Sequence, residues 1–404
     1  APTPTPTPTS TARFEVLLDD PLGDGSRTAN LFVHDGLLWI GPSADGARAV
    51  RVDPLGDVVG DVAFAITGDG ANHAATTTFP SFGAPDCRPN TIACGPDNES
   101  SPALLQSATL NGAPVLVASG GKARGGMRDV YFGALDASGD VATFAFLDLG
   151  GVVGGDARGV GVVHDDGGGR VALGLRTHGA HAPALVEALA ALGGGGEQAR
   201  VSANCSAAQG NVCDRDIPAL QAHDVDAVAS VGGFTYVASS KGIARTAGAL
   251  GDAAAFDDVT PPALASGADP SEHEHDAGAP PSARSIVGFA ALGDGVVFGR
   301  NTADGPELWS CPSSSSCDAS SWTALAGFTG ARVSAVVDNA GTPVIALDDP
   351  AGLRLFEATT ALDHTDGLGT TLLAAVLVAI DGDTWLYALV ADESGPARLA
   401  RVLL

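Results

Sequence analysis

One hairpin pattern recurs seven times along this chain of 404 residues and limits the folds that it can adopt. Each copy is an apolar strand, a turn that ends in glycine, and a short second strand of large or β-branched residues. Most of the turns are Asp-Gly, Asn-Gly or Gly-Gly, which predict type I′ hairpins because both central residues need positive φ. The turn glycines are Gly36, Gly112, Gly167, Gly233, Gly295, Gly341 and Gly382. The pattern predicts an all-β fold.

The spacing between the copies indicates a repeated sheet of four strands. The turn glycines lie roughly 58 residues apart on average, the size of a four-stranded repeat with variable loops. A second turn leads to a third strand, as at residues 46–52, 242–245 and 352–356. A β-sandwich also has many strands, but not repeated copies of one hairpin. A helical protein is not indicated, because the one helix-like run, residues 182–192, ends in a run of glycines.

The two ends of the chain complement one another. The last unit, residues 374–404, has only three strands, whereas residues 13–18 alternate apolar and polar side chains like a half-buried strand. If this strand pairs beside the last one, it completes the final unit and removes two exposed sheet edges. From residue 12 to residue 404 the chain resembles the seven-bladed β-propeller superfamily. The resemblance implies a ring of seven blades that is closed by the N-terminal strand.

This resemblance is one of architecture. The Trp-Asp dipeptide of some propeller repeats is absent from the blade ends, and so is the Ser-x-Asp-x-Gly-x-Thr-Trp box of sialidase-like propellers. Only the fourth unit, with Gly232, Gly233 and Tyr236, resembles a Kelch repeat. No functional residue is therefore carried over from a particular propeller family.

The charge of the chain narrows the classes of partner. It has 47 acidic and 21 basic residues, which gives a net charge of −26. This balance disfavours nucleic acid, since phosphate neutralisation needs Lys and Arg, and it equally disfavours anionic membrane surfaces. No apolar run reaches the ~20 residues of a membrane helix, so we expect no membrane insertion. The charge favours solubility, cationic partners or divalent ions.

The six cysteines fall into three pairs that are close in sequence. This spacing fits local disulfides formed in an oxidising compartment better than zinc knuckles, which usually have Cys-x-x-Cys. Ala1 reads as a processed N-terminus, so we expect export through a cleaved signal to the cell surface or the extracellular space. The predicted pairs are Cys87 with Cys94, Cys205 with Cys213, and Cys311 with Cys317.

Two regions are predicted, a Pro/Thr-rich arm or linker at residues 1–11 and the propeller at residues 12–404. Alternating prolines favour polyproline II, in which eleven residues span up to ~34 Å. Such an arm could reach a neighbouring subunit and build a filament, or it could be a simple tether. Ser/Thr/Pro tracts are also common sites of O-glycosylation. The candidate acceptors are Thr3, Thr5, Thr7 and Thr9.

Three long insertions, residues 68–103, 192–222 and 261–283, lie between predicted units. In a propeller, such connections emerge on one face, and long loops in a compact domain usually carry function. The third insertion holds a dense group of metal-ligand side chains, and its His-x-His with flanking carboxylates suits Zn²⁺ or Cu²⁺. The competing interpretation is a solvated polar loop. The group consists of Glu272, His273, Glu274, His275 and Asp276.

Acidic turns offer oxygen ligands for Ca²⁺ at residues 19–24 and 381–383, although turn formation alone explains acids there. The sequence therefore requires no cofactor, with calcium and zinc as the open alternatives.

The motifs of common nucleophilic enzymes are absent, including Gly-x-Ser-x-Gly and His-Glu-x-x-His. The abundant acids leave a glycosidase open, because its chemistry needs only two carboxylates. The sequence thus favours a role other than catalysis. Four histidines next to loops or turns are interpreted as structural, namely His34, His164, His223 and His364.

We expect a secreted, non-enzymatic propeller that binds another protein or assembles with itself outside the cell. The first alternative is a secreted carbohydrate-binding or carbohydrate-active protein that uses the insertion-rich face. The scarcity of Trp and Tyr counts against this alternative, since sugars stack on such rings. The second alternative is a metal-binding surface protein.

Overall fold

The structure is a computed structural model, and it describes most of the repeated units. The described residues are 14–28, 30–41, 48–63, 102–110, 113–120, 129–135, 141–148, 157–165, 171–177, 185–188, 212–215, 217–221, 223–247, 255–266, 285–328, 330–358, 360–362, 369–392 and 394–404.

Seven antiparallel sheets of four strands make up the fold, and we number the strands along the chain from β1 (Glu15–Asp19). Blade one contains β2 (Leu31–His34), β3 (Leu37–Ile40), β4 (Arg48–Val52) and β5 (Val58–Ala63). Blade two contains β6 (Pro102–Leu110), β7 (Ala113–Gly120), β8 (Asp129–Leu135) and β9 (Val141–Asp148). Blade three contains β10 (Ala157–Asp165), β11 (Val171–Thr177), β12 (Leu185–Ala188) and β13 (Val212–Arg215).

Blade four contains β14 (Val225–Val231), β15 (Phe234–Ser239), β16 (Ile243–Ala247) and β17 (Asp257–Asp258). Blade five contains β18 (Ile286–Leu292), β19 (Gly295–Thr302), β20 (Gly305–Cys311) and β21 (Thr323–Leu325). Blade six contains β22 (Arg332–Asn339), β23 (Thr342–Asp348), β24 (Arg354–Glu357) and β25 (Thr360–Leu362). Blade seven contains β26 (Thr371–Ile380), β27 (Asp383–Ala391), β28 (Arg398–Leu403) and β1. Short helical segments are α1 (Pro262–Ser266) and the 3₁₀ turns Pro218–Leu220 and Ser314–Ser316.

The sheets are arranged as a seven-bladed β-propeller. The first strand of each blade contacts the first strand of the next, and β26 of blade seven also contacts β2 of blade one. Hydrophobic clusters lie between neighbouring blades. The predicted all-β propeller is confirmed.

The N-terminal strand belongs to blade seven, as predicted. It pairs antiparallel with β28, with Glu15 opposite Arg401 and Asp19 opposite Arg398. The strand begins at Glu15 rather than residue 13, and Phe14 packs against the cluster between blades six and seven. One sheet therefore joins the two ends of the propeller.

The alternating strand direction defines two faces of the ring. The first-to-second and third-to-fourth turns of every blade lie on one face, where the chain also enters β1, and we call this the arm face. The second-to-third turns and the connections between blades lie on the opposite face, which we call the insertion face. The predicted insertions 68–103 and 261–283 are connections between blades and belong to the insertion face. The prediction is wrong for most of 192–222, because this stretch joins β12 to β13, a third-to-fourth connection whose strand ends lie on the arm face.

The predicted hairpin turns are confirmed where the structure describes them, with one correction. Both central residues have positive φ at Asp35-Gly36, Gly232-Gly233, Ala340-Gly341 and Asp381-Gly382, while Gly112 and Gly167 lie outside the described residues. The fifth turn is Gly293-Asp294, and Gly295 instead begins β19. A Cβ at Gly295 would lie 2.1 Å from the carbonyl oxygen of Cys311, so a close approach requires this glycine.

One interpretation of the third unit is wrong, because part of the helix-like run at 182–192 is the strand β12. The last strand of this unit is β13. The pairing of β12 with β11 and β13 explains the error. Ladder hydrogen bonds on both sides override the helix propensity of its Leu, Glu and Ala residues.

Polar bridges between blades were not foreseen. Six of the first strands contain a β-bulge, and a buried Asn or Asp from the preceding blade often accepts a backbone N–H near it. Such a bridge satisfies a donor that the hairpin leaves unpaired. The bridges run from Leu105 N–H to Asn30 (3.3 Å), from Ile286 N–H to Asp226 (3.1 Å), from Val333 N–H to Asn301 (2.7 Å) and from Leu372 N–H to Asp348 (2.9 Å).

Cys311 and Cys317 form the predicted disulfide, which closes the connection from β20 to β21 on the arm face. The loop that it closes reaches over to blade four. The Ser314 carbonyl accepts hydrogen bonds from Arg245 and Tyr236, and its N–H donates to the Asp294 carbonyl at 2.9 Å. The disulfide therefore stabilises the loop of residues 311–317, which links blades four and five and which we call the clamp.

Replacing both Cys311 and Cys317 with serine should lower the free energy of unfolding by about 2 kcal/mol, the loop-entropy value for so short a loop. We expect a melting temperature lower by roughly 2–3 °C, measured by calorimetry without reductant. A double variant that melts with the unsubstituted protein would show that the clamp holds without the disulfide.

Candidate interaction surface

Exposed apolar side chains concentrate on blades seven and one. Among the described residues, five large hydrophobic side chains are exposed, and all of them belong to these two blades. We call them the seam patch. They are Val16 (42% exposed), Leu55 (69%), Val58 (54%), Val59 (55%) and Leu403 (41%). Val16 lies on the face of β1 that is turned toward blade six, because it pairs with Ala400. Single exposed apolar residues are ordinary, but a cluster is typical of a protein-binding surface.

The turn between β4 and β5 presents Leu55 in a fixed conformation. The Asp53 carboxylate accepts the N–H groups of Leu55 and Asp57, both at 2.9 Å. Gly56 has a φ of 104°, and a Cβ there would lie 3.1 Å from Cβ of Leu17 in β1. Glycine thus allows this turn to approach the N-terminal strand closely.

Arg401 fastens the same turn to blade seven. Its Nη1 donates to the Pro54 carbonyl at 2.8 Å, and its Nη2 lies 2.9 Å from the Glu15 carboxylate. The guanidinium also lies 4.6 Å from the ring centre of Trp385. A hydrogen bond with the Tyr387 hydroxyl, and to a lesser extent Glu15, raises the pKa of Arg401 against the opposing effect of burial. Arg401 therefore holds the turn that carries Leu55 in a fixed position against blade seven.

The topology places the seam patch beside the arm. Leu403 ends the third strand of blade seven, and the Leu55 turn follows the third strand of blade one, so both lie on the arm face. Chain entry into β1 is on that face too, because Glu15 pairs opposite Arg401 near the end of β28. The described chain therefore enters β1 on the same face as Leu55 and Leu403.

A groove lies on the outer flank of blade four, toward the insertion face, and we call it the blade-four groove. It encloses about 520 Å³, within the usual range for ligand pockets. Its walls come from described parts next to two predicted insertions, from the turn before β16 and from the connection in blade five. The lining residues are Ile217, Pro218, Ala219, Gln221, Lys241, Phe256, Asp258, Thr260 and Ala319.

Hydrogen bonds fix the walls of the groove. The Ser239 hydroxyl donates to the Leu220 carbonyl at 3.0 Å and accepts the Lys241 N–H at 3.1 Å. Thr260 Oγ1 accepts the Ile243 N–H at 3.0 Å. A Cβ at Gly242 would lie 1.9 Å from the Ala219 carbonyl oxygen, so the two walls touch through backbone. These hydrogen bonds and this close contact hold the walls of the groove in place.

Several predicted sites lie outside the described residues. These are Cys87, Cys94, Cys205, the side chain of Cys213, the glycosylation candidates Thr3, Thr5, Thr7 and Thr9, and the group Glu272, His273, His275 and Asp276. Within the part of the chain that the structure describes, no three His, Cys, Asp or Glu side chains gather as metal ligands. The described portion also contains no helix long and apolar enough to span a membrane.

The acidic turn at residues 19–24 uses its carboxylates for backbone capping. Asp20 accepts the N–H groups of Gly23 and Gly25 at 3.1–3.2 Å, and Asp24 accepts that of Ser26 at 2.9 Å. The acids at 381–383 form the hairpin turn between β26 and β27, with Ile380 opposite Asp383. Both segments show the turn role that competed with calcium binding.

Two of the predicted structural histidines bridge neighbouring blades. His34 Nδ1 lies 2.7 Å from Ser107 Oγ, and His164 Nε2 lies 3.0 Å from Ser230 Oγ. Burial lowers the pKa of His34, and the nearby charge of Asp35 opposes that shift. His34 is therefore held in its neutral form, which suits a bridge between blades.

The lowered pKa of His34 should make folding sensitive to acid. Below pH 6.5, the ordinary pKa, the unfolded chain takes up a proton that the folded chain resists, so stability falls as the pH falls. We expect His34→Gln to remove up to about 2 kcal/mol of the stability loss between pH 7.5 and pH 5. Denaturant titrations at both pH values measure this difference. Equal losses in the two proteins would contradict it.

Comparisons with known proteins give similarities of structure alone. No protein-family model matches the sequence, and no curated protein matches it. The N-terminal domain of Nup159 is 11% identical, with a TM-score of 0.45 over 99% of this chain and 98% of that chain. Apo AztD from Citrobacter koseri is 11% identical, with a TM-score of 0.39 over 91% of this chain and 98% of that one. Trypanosoma rangeli sialidase with the inhibitor DANA is 10% identical, with a TM-score of 0.39 over 75% and 55% of the two chains. The proposed function does not depend on these similarities.

Proposed function

We propose that this protein is an exported, non-enzymatic propeller that binds protein outside the cell and assembles with further copies of itself through its N-terminal arm. The observation that carries the proposal is the seam patch. The five exposed apolar side chains all belong to blades seven and one, and β1, where the described chain begins, is the outer strand of blade seven. Covering them with a protein partner removes apolar surface from water, which favours association.

The charge distribution supports contact through the arm and the patch. A net charge of −26 makes two copies repel one another over most of their surfaces. Residues 1–13 contain no acidic residue and one arginine, and the patch itself is apolar. These two regions can therefore meet another copy without bringing more carboxylates together.

Sedimentation velocity over a range of protein concentrations tests this proposal. We expect the full chain to form multimers, and the double variant Val58→Lys, Val59→Lys to remain a single ring of one chain. The matched control is Thr323→Lys, which adds charge at an exposed position on the fourth strand of blade five. A full chain that stays single at the highest concentration, or a double variant that assembles like the control, contradicts the proposal.

The carbohydrate alternative makes a different prediction. It requires the insertion face to bind glycans in a chain that lacks residues 1–11. A glycan array probed with that shortened chain separates the two functions. Saturable binding to one class of oligosaccharide, without self-association of the full chain, would favour the alternative.

A further inference from the structure

We propose that the blade-four groove receives residues 1–11 from a second copy of the chain. This inference rests on the proposed self-assembly and names the surface that the arm contacts. It connects two features that the proposed function leaves separate, the groove on the insertion side of the ring and the Pro/Thr-rich segment before β1, which the sequence predicts to be extended.

The chemistry of the groove fits an extended Pro/Thr segment. Polyproline II has no internal hydrogen bonds, so its carbonyl groups need donors, and its proline rings pack in aromatic-lined grooves. Phe256 and Pro218 supply apolar walls, and Gln221 and Lys241 bring side-chain N–H groups to the same groove. The arm repeats the dipeptide Pro-Thr four times, with prolines at positions 2, 4, 6 and 8. Several registers of the arm therefore present similar groups to the groove.

Both partners are preorganised. The groove walls are fixed by the Ser239 and Thr260 hydrogen bonds and by the contact of Gly242 with the Ala219 carbonyl. Proline restricts the arm before it binds, so less conformational entropy is lost on docking. Charge also permits the contact. Residues 1–11 carry no charged side chain, while Lys241 and Asp258 line the groove with opposite charges.

The positions of the arm and the groove favour docking between copies. The arm joins blade seven, and blade four is three blades away in a ring of seven, so the two lie on opposite sides. They also lie toward opposite faces. A contact from the arm side of one ring to the groove side of the next uses two different surfaces, and contacts of this kind build an open filament unless they close into a ring.

The first experiment measures arm binding without assembly. A fluorescent peptide of residues 1–11, acetylated at its N-terminus, is titrated into the chain of residues 12–404. We expect saturable binding that weakens at least tenfold in Phe256→Ala and in Lys241→Glu. Lys241→Arg and Thr323→Lys serve as controls and should bind normally. Because Lys241→Glu changes a turn residue, it tests the groove even if Phe256→Ala folds poorly.

The second experiment locates the peptide. The sequence contains only two lysines, Lys122 and Lys241, so Lys241 is the sole lysine in a Lys122→Arg chain. A peptide with an amine-reactive group should label Lys241, and excess unmodified peptide should block the labelling.

The outcomes separate this inference from the proposed function. If the full chain assembles but the peptide does not bind, or if Lys241→Glu assembles normally, the groove is wrong and self-assembly stands. If the full chain remains single, both are overturned. If the shortened chain binds an oligosaccharide in the groove but not the peptide, the groove belongs to the carbohydrate alternative and the inference fails.

Discussion

Removing residues 1–20 should lower the melting temperature by roughly 5 °C relative to removing residues 1–11. The longer deletion takes away β1, whose Leu17 and Leu18 pack against the core between blades seven and one. A buried leucine contributes roughly 1.5–3 kcal/mol, an upper value here because both side chains are partly exposed. The deletion also removes the Glu15–Arg401 pair and leaves β28 as an unpaired edge.

Calorimetry on the two shortened chains measures this effect directly. The 1–11 deletion is the matched control, because it keeps β1 and removes only the arm. If both chains melt at the same temperature, β1 is not needed to complete blade seven, and the pairing of the two chain ends contributes nothing to stability.

Asn301→Leu should lower the free energy of unfolding by about 3 kcal/mol. The Asn301 side chain is 3% exposed and makes two bonds to the backbone of Val333 in the next blade. Its Oδ1 accepts the Val333 N–H at 2.7 Å, and its Nδ2 donates to the Val333 carbonyl at 2.9 Å. Leucine has a similar size but leaves both backbone groups buried without their partner.

Urea denaturation checks this value, with Asn339→Leu as the control. Asn339 ends β22 and is partly exposed, so its replacement should change stability by less than about 1 kcal/mol. If Asn301→Leu loses no more free energy of unfolding than Asn339→Leu, the prediction is wrong. The hydrogen bonds between blades would then contribute nothing measurable to stability.

The repeated hairpins could be predicted because their signals are local. A turn such as Asp35-Gly36 needs positive φ, and the residues that tolerate it are few. The fifth turn was misplaced because Gly293-Asp294-Gly295 offers two glycines, and only the contact with Cys311 separates them. Bridges such as Asn301 to Val333 join residues far apart in sequence. The sequence does not predict them, because an Asn near a strand end is also typical of an ordinary turn.

Neither surface could be identified from the sequence. Leu55, Val58 and Val59 read as ordinary strand and turn residues, and only the ring shows that they are exposed beside β1. The groove was anticipated only as an insertion-rich face, because its walls come from separate blades. The residues Phe256 and Lys241 carry no motif that would have marked them.

A short motif in blade five was also missed. Residues 316–322 read Ser-x-Asp-x-Ser-Ser-Trp, one residue shorter than the Ser-x-Asp-x-Gly-x-Thr-Trp box and without its glycine and threonine. Asp318 accepts hydrogen bonds from Ser320 and Ser321, which lower its pKa, and Trp322 Nε1 donates to the Val259 carbonyl at 2.7 Å. The motif stabilises the turn and its contact with blade four.

Electron microscopy of the full chain at high concentration tests self-assembly through the arm most directly. We expect rows of stacked discs in which each disc is one propeller, and separate discs from the chain that lacks residues 1–11. Separate discs from the full chain at every concentration, or rows that persist without the arm, would contradict assembly through the arm.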